Sequence, residues 1–145
     1  MTGRLLILGC TRDKLATARP VAAIELYTGD SVPRVRDRLG PERLSRTLFL
    51  SGLHGLIPAD ALLLPYDRRL RPEDAGVLSE ASCSRLLAFS HLQGVPEQVL
   101  LVAEADYTAL LEPILATWER TRITRIFDPC AWADIARVLD SWSWT

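Results

Sequence analysis

The chain alternates short apolar runs with polar, turn-forming stretches. Arg4 to Gly9 contains four consecutive aliphatic residues and stops at a glycine and a polar loop, the pattern of a buried strand. Ser31 then precedes Val32, Val35 and Leu39, apolar positions at helical spacing, and Gly40-Pro41 ends that helix. Residues 46–50 predict a second strand. Pro72, Glu73 and Asp74 suit the first turn of another helix, with proline pre-set and acids near its positive end. Gly76 weakens its continuity. It resumes by Ser79, runs through Cys83, Leu86, Leu87 and Ser90, and stops at Gly94. Residues 98–103 predict a third strand. Asp106 caps a helix reaching Trp118, which Pro113 kinks or restarts. Residues 123–127 predict a fourth strand, and Asp128-Pro129 starts a last helix whose stripe is Trp132, Ile135, Ala136, Leu139 and Trp142.

Strands alternating with helices imply an α/β fold: one Rossmann-like, three-layer domain over residues 1–145, with a mainly parallel sheet of about four strands and a long loop after strand 2. No repeat, low-complexity tract or linker divides it. The loop after the first strand, Gly9-Cys10-Thr11-Arg12-Asp13-Lys14, lacks the three glycines of a dinucleotide fingerprint, and no Walker loop is present. Nicotinamide and P-loop chemistry are disfavoured, and no cofactor is expected.

Composition narrows the classes further. At 145 residues and 48% hydrophobic content the chain can bury a core without staples. Three cysteines without tight spacing argue for a reducing compartment, and the apolar run from Leu5 to Leu8 is too short for a leader or a membrane span. A cytoplasmic protein without membrane association is expected. The net charge of −1 gives no global field for a phosphate backbone. The basic stretches 34–38 and 68–71 read first as solvated surface, so nucleic-acid binding is not favoured. Of 17 basic residues only Lys14 is a lysine, and it falls in the first strand-to-helix loop; lysine alone among these cations can lose its proton near neutrality or form a Schiff base. Three tryptophans near the end, Trp132, Trp142 and Trp144, suggest an exposed aromatic tail or a homodimer contact, Trp144 being the one off the stripe.

Ligands of parallel sheets bind beyond the carboxyl ends of the strands. Cys10, Thr11, Arg12 and Lys14 follow the first strand, Ser51, Gly52 and His54 the second, Glu104 and Asp106 the third, Asp128 and Cys130 the fourth. Three readings compete. Cys10 is a nucleophile activated by His54; or Cys10, His54 and Cys130 hold zinc, although no paired-ligand spacing supports it and no metal is expected; or the cysteines are small packing residues and His54 a hydrogen-bonding loop residue. His91, late in a helix, and Cys83, on a helical stripe, read as structural.

The segment FLSGLHGLIPADALLLPYDRRL, residues 49–70, reads as neither a regular strand nor a regular helix. Ser51, Gly52 and Gly55 allow a sharp turn whose N–H groups suit an anion or a carbonyl. The rest reads as a recognition loop able to fold over the rim, with Tyr66 stacking on a ring and Asp67 accepting from ring N–H groups. The competing reading ties Asp67 to Arg69 to hold the loop.

These residues carry a resemblance. Leu50-Ser51 with His54-Gly55-Leu56 and Pro65-Tyr66-Asp67 resembles the hallmark of YaaA-like proteins, the peroxide-stress family, with His54 where tyrosine is common. Together with Cys10-Thr11-Arg12-Asp13-Lys14 and Glu25-Leu26-Tyr27, the chain is most similar to small bacterial and phage domains of that group, which carry Cys-Ser-x-x-Lys; Thr11 replaces the serine. Asp106-Tyr107 resembles the family's later tyrosine, and Asp128-Pro129-Cys130 stands in place of its glycine-rich segment. A more distant likeness to the catalytic domain of archaeosine synthases, through Cys-x-x-x-Lys, implies nucleobase or nucleoside chemistry. Residues and resemblance together give an expectation: a small enzyme acting on a nucleobase, nucleoside or nucleotide, by glycosidic-bond or base-modification chemistry. Cys10, Lys14, His54 and Asp67 would be catalytic; Thr11, Tyr27, Ser51, Gly52, Gly55, Tyr66, Arg69 and Tyr107 would bind substrate. Glycosidic cleavage would need a carboxylate, from Asp67, Glu25 or Glu104. The alternative is a non-catalytic DNA-binding stress protein using the two basic stretches.

Overall fold

A computed structural model describes residues 3–145. In chain order the elements are β1 (Arg4–Gly9), β2 (Val21–Ala22), α1 (Ala23–Leu26), α2 (Val32–Arg36), α3 (Pro41–Leu44), β3 (Thr47–Ser51), β4 (Gly55–Pro58) and β5 (Leu62–Leu63). A single 3-10 turn, Pro72–Asp74, leads into α4 (Ala75–Gln93), followed by β6 (Gln98–Val102), α5 (Ala105–Thr108), α6 (Glu112–Leu115), β7 (Arg122–Ile126) and α7 (Trp132–Ser141). The main sheet has the order β4-β3-β1-β6-β7. β1 pairs in parallel with β3 and β6, and β6 with β7, while β4 runs antiparallel to β3. The protein is thus mixed α/β with a mostly parallel sheet.

Side-chain alternation along β1 separates two apolar clusters. Leu6 and Leu8 face one side, with Phe49, Leu100 and Val102, against α1, α2 and α7. Leu5 and Ile7 face the other, with Leu50, Val99 and Leu101, against α4, α5 and α6. Central strands buried on both faces must read as unbroken aliphatic runs, and these do.

Several expectations change. The sheet has five strands, not about four, because the segment after Ser51 turns back on β3 instead of leaving the sheet. Gly55, at φ +71°, makes that reversal, and Leu50 then pairs with Leu56 and Phe49 with Ile57. Leu62–Leu63 forms a second, two-stranded sheet with Val21–Ala22. The long loop after strand 2 is therefore partly strand; its longest stretch without regular structure runs from Leu64 to Arg71. The exposed edge of β4 is covered by α4, whose Ser82 hydroxyl accepts the Leu56 N–H at 3.1 Å. Arg85 Nη1 donates to the carbonyls of His54 and Leu56 at 2.6 and 2.9 Å. Side chains thus occupy backbone groups that would otherwise template another strand.

Gly76 does not interrupt α4, and Pro113 restarts a helix, as α5 ends at Thr108 and α6 begins at Glu112. The two aspartate caps do not form. Asp106 accepts its neighbour Tyr107 N–H, and Asp128 accepts the Cys130 N–H; the flanking positions are Glu104 for α5 and Ala131 for α7. Trp144 is no exposed tail. It is 7% exposed, edge-on to Trp142 at 5.1 Å, because Ser143 at φ +62° folds the chain back onto the core.

Candidate functional site

The chain runs from β1 to β3 on one side of the sheet and from β6 to β7 on the other. Connections that diverge from two neighbouring strands open a crevice at their carboxyl ends. A cavity of about 360 Å³ lies there, its floor formed by Gly9 and Cys10 at the end of β1 and by Ala103 and Glu104 after β6. A Cβ on Gly9 would stand 3.2 Å from that of Ala103, so the glycine keeps the floor flat. Thr11, Arg12 and Lys14 form one wall, Asp67, Arg68 and Arg69 another, Tyr107 a third; Asp30 and Pro129 close the rim.

The first loop is tightly held. The Cys10 N–H donates to the Leu50 carbonyl at 2.8 Å. The Thr11 hydroxyl donates to the Asp13 carbonyl at 2.5 Å and accepts the Gly29 N–H at 3.3 Å, so its work is to shape the loop. Lys14 Nζ donates to the Thr11 carbonyl at 2.8 Å and stands 4.5 Å from the centre of the Tyr66 ring, a cation over an aromatic face. Among the described residues no carboxylate pairs with Lys14 or Arg12, and Asp67 has no hydrogen-bond or ion-pair partner.

Arg69 does not tie to Asp67. It grips both oxygens of Glu104, at 3.2 and 3.0 Å, with Asp106 at 3.6 Å. This fork lowers the Glu104 pKa and raises that of Arg69. Arg68 is held by Asp74 at 2.6 Å. The two arginines therefore fix the wall and bring little free charge to a ligand. Tyr107 accepts the Leu70 N–H at 2.8 Å, and Cys10 is among the neighbours that raise its pKa.

Six of the expected residues share the cavity: Cys10, Thr11, Lys14, Asp67, Arg69 and Tyr107. The other six lie behind its wall. Ser51 accepts the N–H groups of Leu53 and His54 at 3.1 and 3.0 Å. It shares a 2.6 Å hydrogen bond with the Tyr66 hydroxyl, which shares another of 2.5 Å with Tyr27. Ser51 and Tyr27 are fully buried, Gly52 packs beneath Leu70, and Gly55 against Ser82. His54 stands edge-on to Tyr66, ring centres 5.1 Å apart; its pKa is lowered by burial and by the Arg85 charge. The Tyr66 ring thus contacts both Lys14 and His54, and among the described residues no hydrogen bond joins His54 to Cys10.

Cys130 is exposed and points its thiol at Asp30 Oδ1, 3.4 Å away. Among the described residues no three His, Cys, Asp or Glu side chains are grouped to hold a metal ion. The sequence gives no sign of Asp30 as a site residue and marks Pro129 as a helix start and as part of the replacement for the family's glycine-rich segment. A hydrogen bond from the Ser31 hydroxyl to the Pro129 carbonyl, 2.8 Å across a separation of 98 residues, joins their two loops, and nothing local in the sequence signals it.

Burial lifts the Tyr27 phenol to about 12 despite its hydrogen bond with Tyr66. Burial likewise lifts Tyr107 to about 12, against the pull of the Leu70 N–H; Tyr66 is raised by burial and by neighbouring Cys10 and Tyr27. The unfolded chain releases these protons first, near the ordinary value of 10.0. Stability from the neutral phenols is therefore complete below that pH and drains away as pH rises toward the folded values. Urea melts over an alkaline series are expected to show unfolding free energy falling as pH climbs from 10 to about 12, tracked by phenolate absorbance. A flat profile would contradict the buried tyrosine cluster.

Among the described residues no helix is long and apolar enough to cross a membrane. No protein-family model, curated protein or solved structure matches the chain.

Proposed function

We propose that the protein is an enzyme of the YaaA-like, Rossmann-like group that takes a nucleobase, nucleoside or nucleotide into the cavity between β1 and β6. The observation that carries this reading is the gathering of Cys10, Lys14, Asp67 and Tyr107, from three separate segments, around one cavity at the point where the sheet's connections diverge. Its volume lies at the lower end of the range of about 300–1,000 Å³ usual for small-molecule sites. Lys14 and Arg12, without carboxylate partners, take a phosphate or ring carbonyl. Asp67 accepts from ring N–H groups or acts as the general base. Cys10, beside the Tyr107 hydroxyl, is the nucleophile.

The geometry shifts roles from those the sequence suggests. His54 acts through the Tyr66 ring as a positioning residue, and Tyr27, Tyr66 and Ser51 form the cavity's backing. The arginines proposed for DNA are largely neutralised: Arg36 pairs with Glu25, Arg38 with Asp140, Arg68 with Asp74 and Arg69 with Glu104.

The test is a thermal-shift and calorimetric screen of bases, nucleosides and nucleotides, with duplex DNA as a separate arm. A ligand at a hundred times its Kd adds about 2.7 kcal/mol of stability. Lys14→Ala and Asp67→Asn are each expected to weaken it at least about tenfold, the loss of one charged contact. Salt-sensitive DNA binding lost on reversing Arg34 and Arg71, with no small-molecule shift, would replace this reading with the DNA-binding one.

A further inference from the structure

Helix α4 inverts the usual amphipathic arrangement. Its 19 residues include two fully charged side chains, Glu80 and Arg85. The inward face sets Ser82, Leu86 and Ser90 into the protein, and Arg85 reaches the carbonyls of the β4 hairpin. The outward face carries Val77, 74% exposed, and Leu92, 87% exposed, with Ala81, Ser84 and Ala88 between them. A surface helix ordinarily turns charge outward and apolar residues inward, and one that turns aliphatics outward has an apolar neighbour on that side. Single exposed aliphatics are ordinary; a row along one helix face calls for a partner.

The row identifies which partner. Positions 77, 81, 84, 88 and 92 are separated by four, three, four and four residues and so share one face. They are also symmetric end to end. Val77 and Leu92 are equidistant from a point between Ser84 and Arg85, and so are Ala81 and Ala88. In an antiparallel pair of these helices Val77 covers the partner's Leu92 and Ala81 the partner's Ala88. Large residues then meet at the ends and small ones in the middle, where the axes come closest.

The flank agrees in polarity. Glu80 and His91 lie on the same side of the row, and an antiparallel two-fold sets like flanks together. Glu80 then falls within about 3 Å, along the axis, of the level of the partner's His91, while the two copies of Glu80 stay about 13 Å apart. Each carboxylate finds an imidazole N–H, and like charges are kept separate. We propose that α4 docks antiparallel on the α4 of a second copy of this chain, the two-fold axis passing between Ser84 and Arg85. Such an interface is isologous and closes at the dimer. It leaves the cavity between β1 and β6 open in both copies, so it stands or falls independently of the proposed activity.

The test uses the full chain in analytical ultracentrifugation over about two decades of concentration. The expected result is a dimer of the 16.2 kDa chain that Ala88→Glu and Leu92→Glu each convert to monomer with an unchanged circular-dichroism spectrum. The register is read by oxidation in a Cys130→Ser background. Val77→Cys mixed with Leu92→Cys is expected to cross-link, whereas Val77→Cys alone, about 22 Å from its own copy, is not. A wild-type monomer at every concentration, a dimer indifferent to both glutamates, or cross-linking of Val77→Cys with itself would each overturn the proposal.

Discussion

Replacing Gly52 by alanine is expected to destabilise the protein by about 3 kcal/mol, at the upper end of ordinary overpacking. The added methyl carbon would stand 2.4 Å from the Leu70 backbone nitrogen, 2.8 Å from the Arg69 carbonyl carbon and 2.9 Å from the Tyr107 hydroxyl. Two of these three atoms are backbone, so no rotamer change relieves the clash. The segment from Asp67 to Leu70 must lift, breaking the Leu70–Tyr107 hydrogen bond and opening a wall of the cavity. A fall in Tm of about 10 °C is expected for a domain of this size, together with loss of ligand binding. Gly76→Ala is the control. Nothing lies within 4 Å of its added carbon, and alanine in place of helical glycine should stabilise by up to about 1 kcal/mol. Equal melting of Gly52→Ala and wild type would mean that the loop does not rest on the glycine.

Tyr66→Phe is expected to cost about 2–4 kcal/mol, while Tyr27→Phe costs about 1 kcal/mol. The difference lies in what each deletion strands. The Tyr66 hydroxyl is the middle of a three-member chain, bonded to Ser51 on one side and Tyr27 on the other. Deleting it leaves the wholly buried Tyr27 hydroxyl without a partner and takes from Ser51 its side-chain partner. Deleting the Tyr27 hydroxyl removes an end member, and Tyr66 keeps Ser51. Denaturant melts of both variants decide the matter. Equal losses, or a larger one for Tyr27→Phe, would contradict the assigned network. Because Lys14 rests on the same ring, Tyr66→Phe should leave cation-dependent binding largely intact, and Tyr66→Ala should not.

β1, β3 and β6 were legible in the sequence because strands buried on both faces leave an unmistakable apolar run, as in Leu5 to Leu8, whereas β7, partly exposed at the sheet edge, carries no such run. β4 was not legible. Its residues, Gly55–Pro58, begin with a glycine and end with a proline, and the proline is tolerated only because it sits at a sheet edge. α4 hides its inward face for another reason: serines point in while valine and leucine point out, so hydrophobic periodicity does not mark the buried side. Asp106 and Asp128 have the chemistry of helix caps, yet each bonds an N–H of its own turn first. The rim rule brought Cys10 and Lys14 together with Glu104, whereas Asp67 entered through the loop read as folding over the rim and Tyr107 through the family resemblance. His54 escapes it because Ser51 holds the N–H groups of Leu53 and His54 and the hairpin turns the imidazole behind Tyr66.

One consequence concerns the solitary ε-amine. The chain's 17 basic side chains include one lysine, and the fold sets it at the wall of the cavity. Acylating reagents, which on most proteins decorate the surface at random, here find a single side-chain target, and any molecule filling the crevice stands over it. Protection of that amine against acylation becomes a footprint of occupancy, readable by mass on the intact protein, without a turnover assay and without knowing which reaction the occupant undergoes.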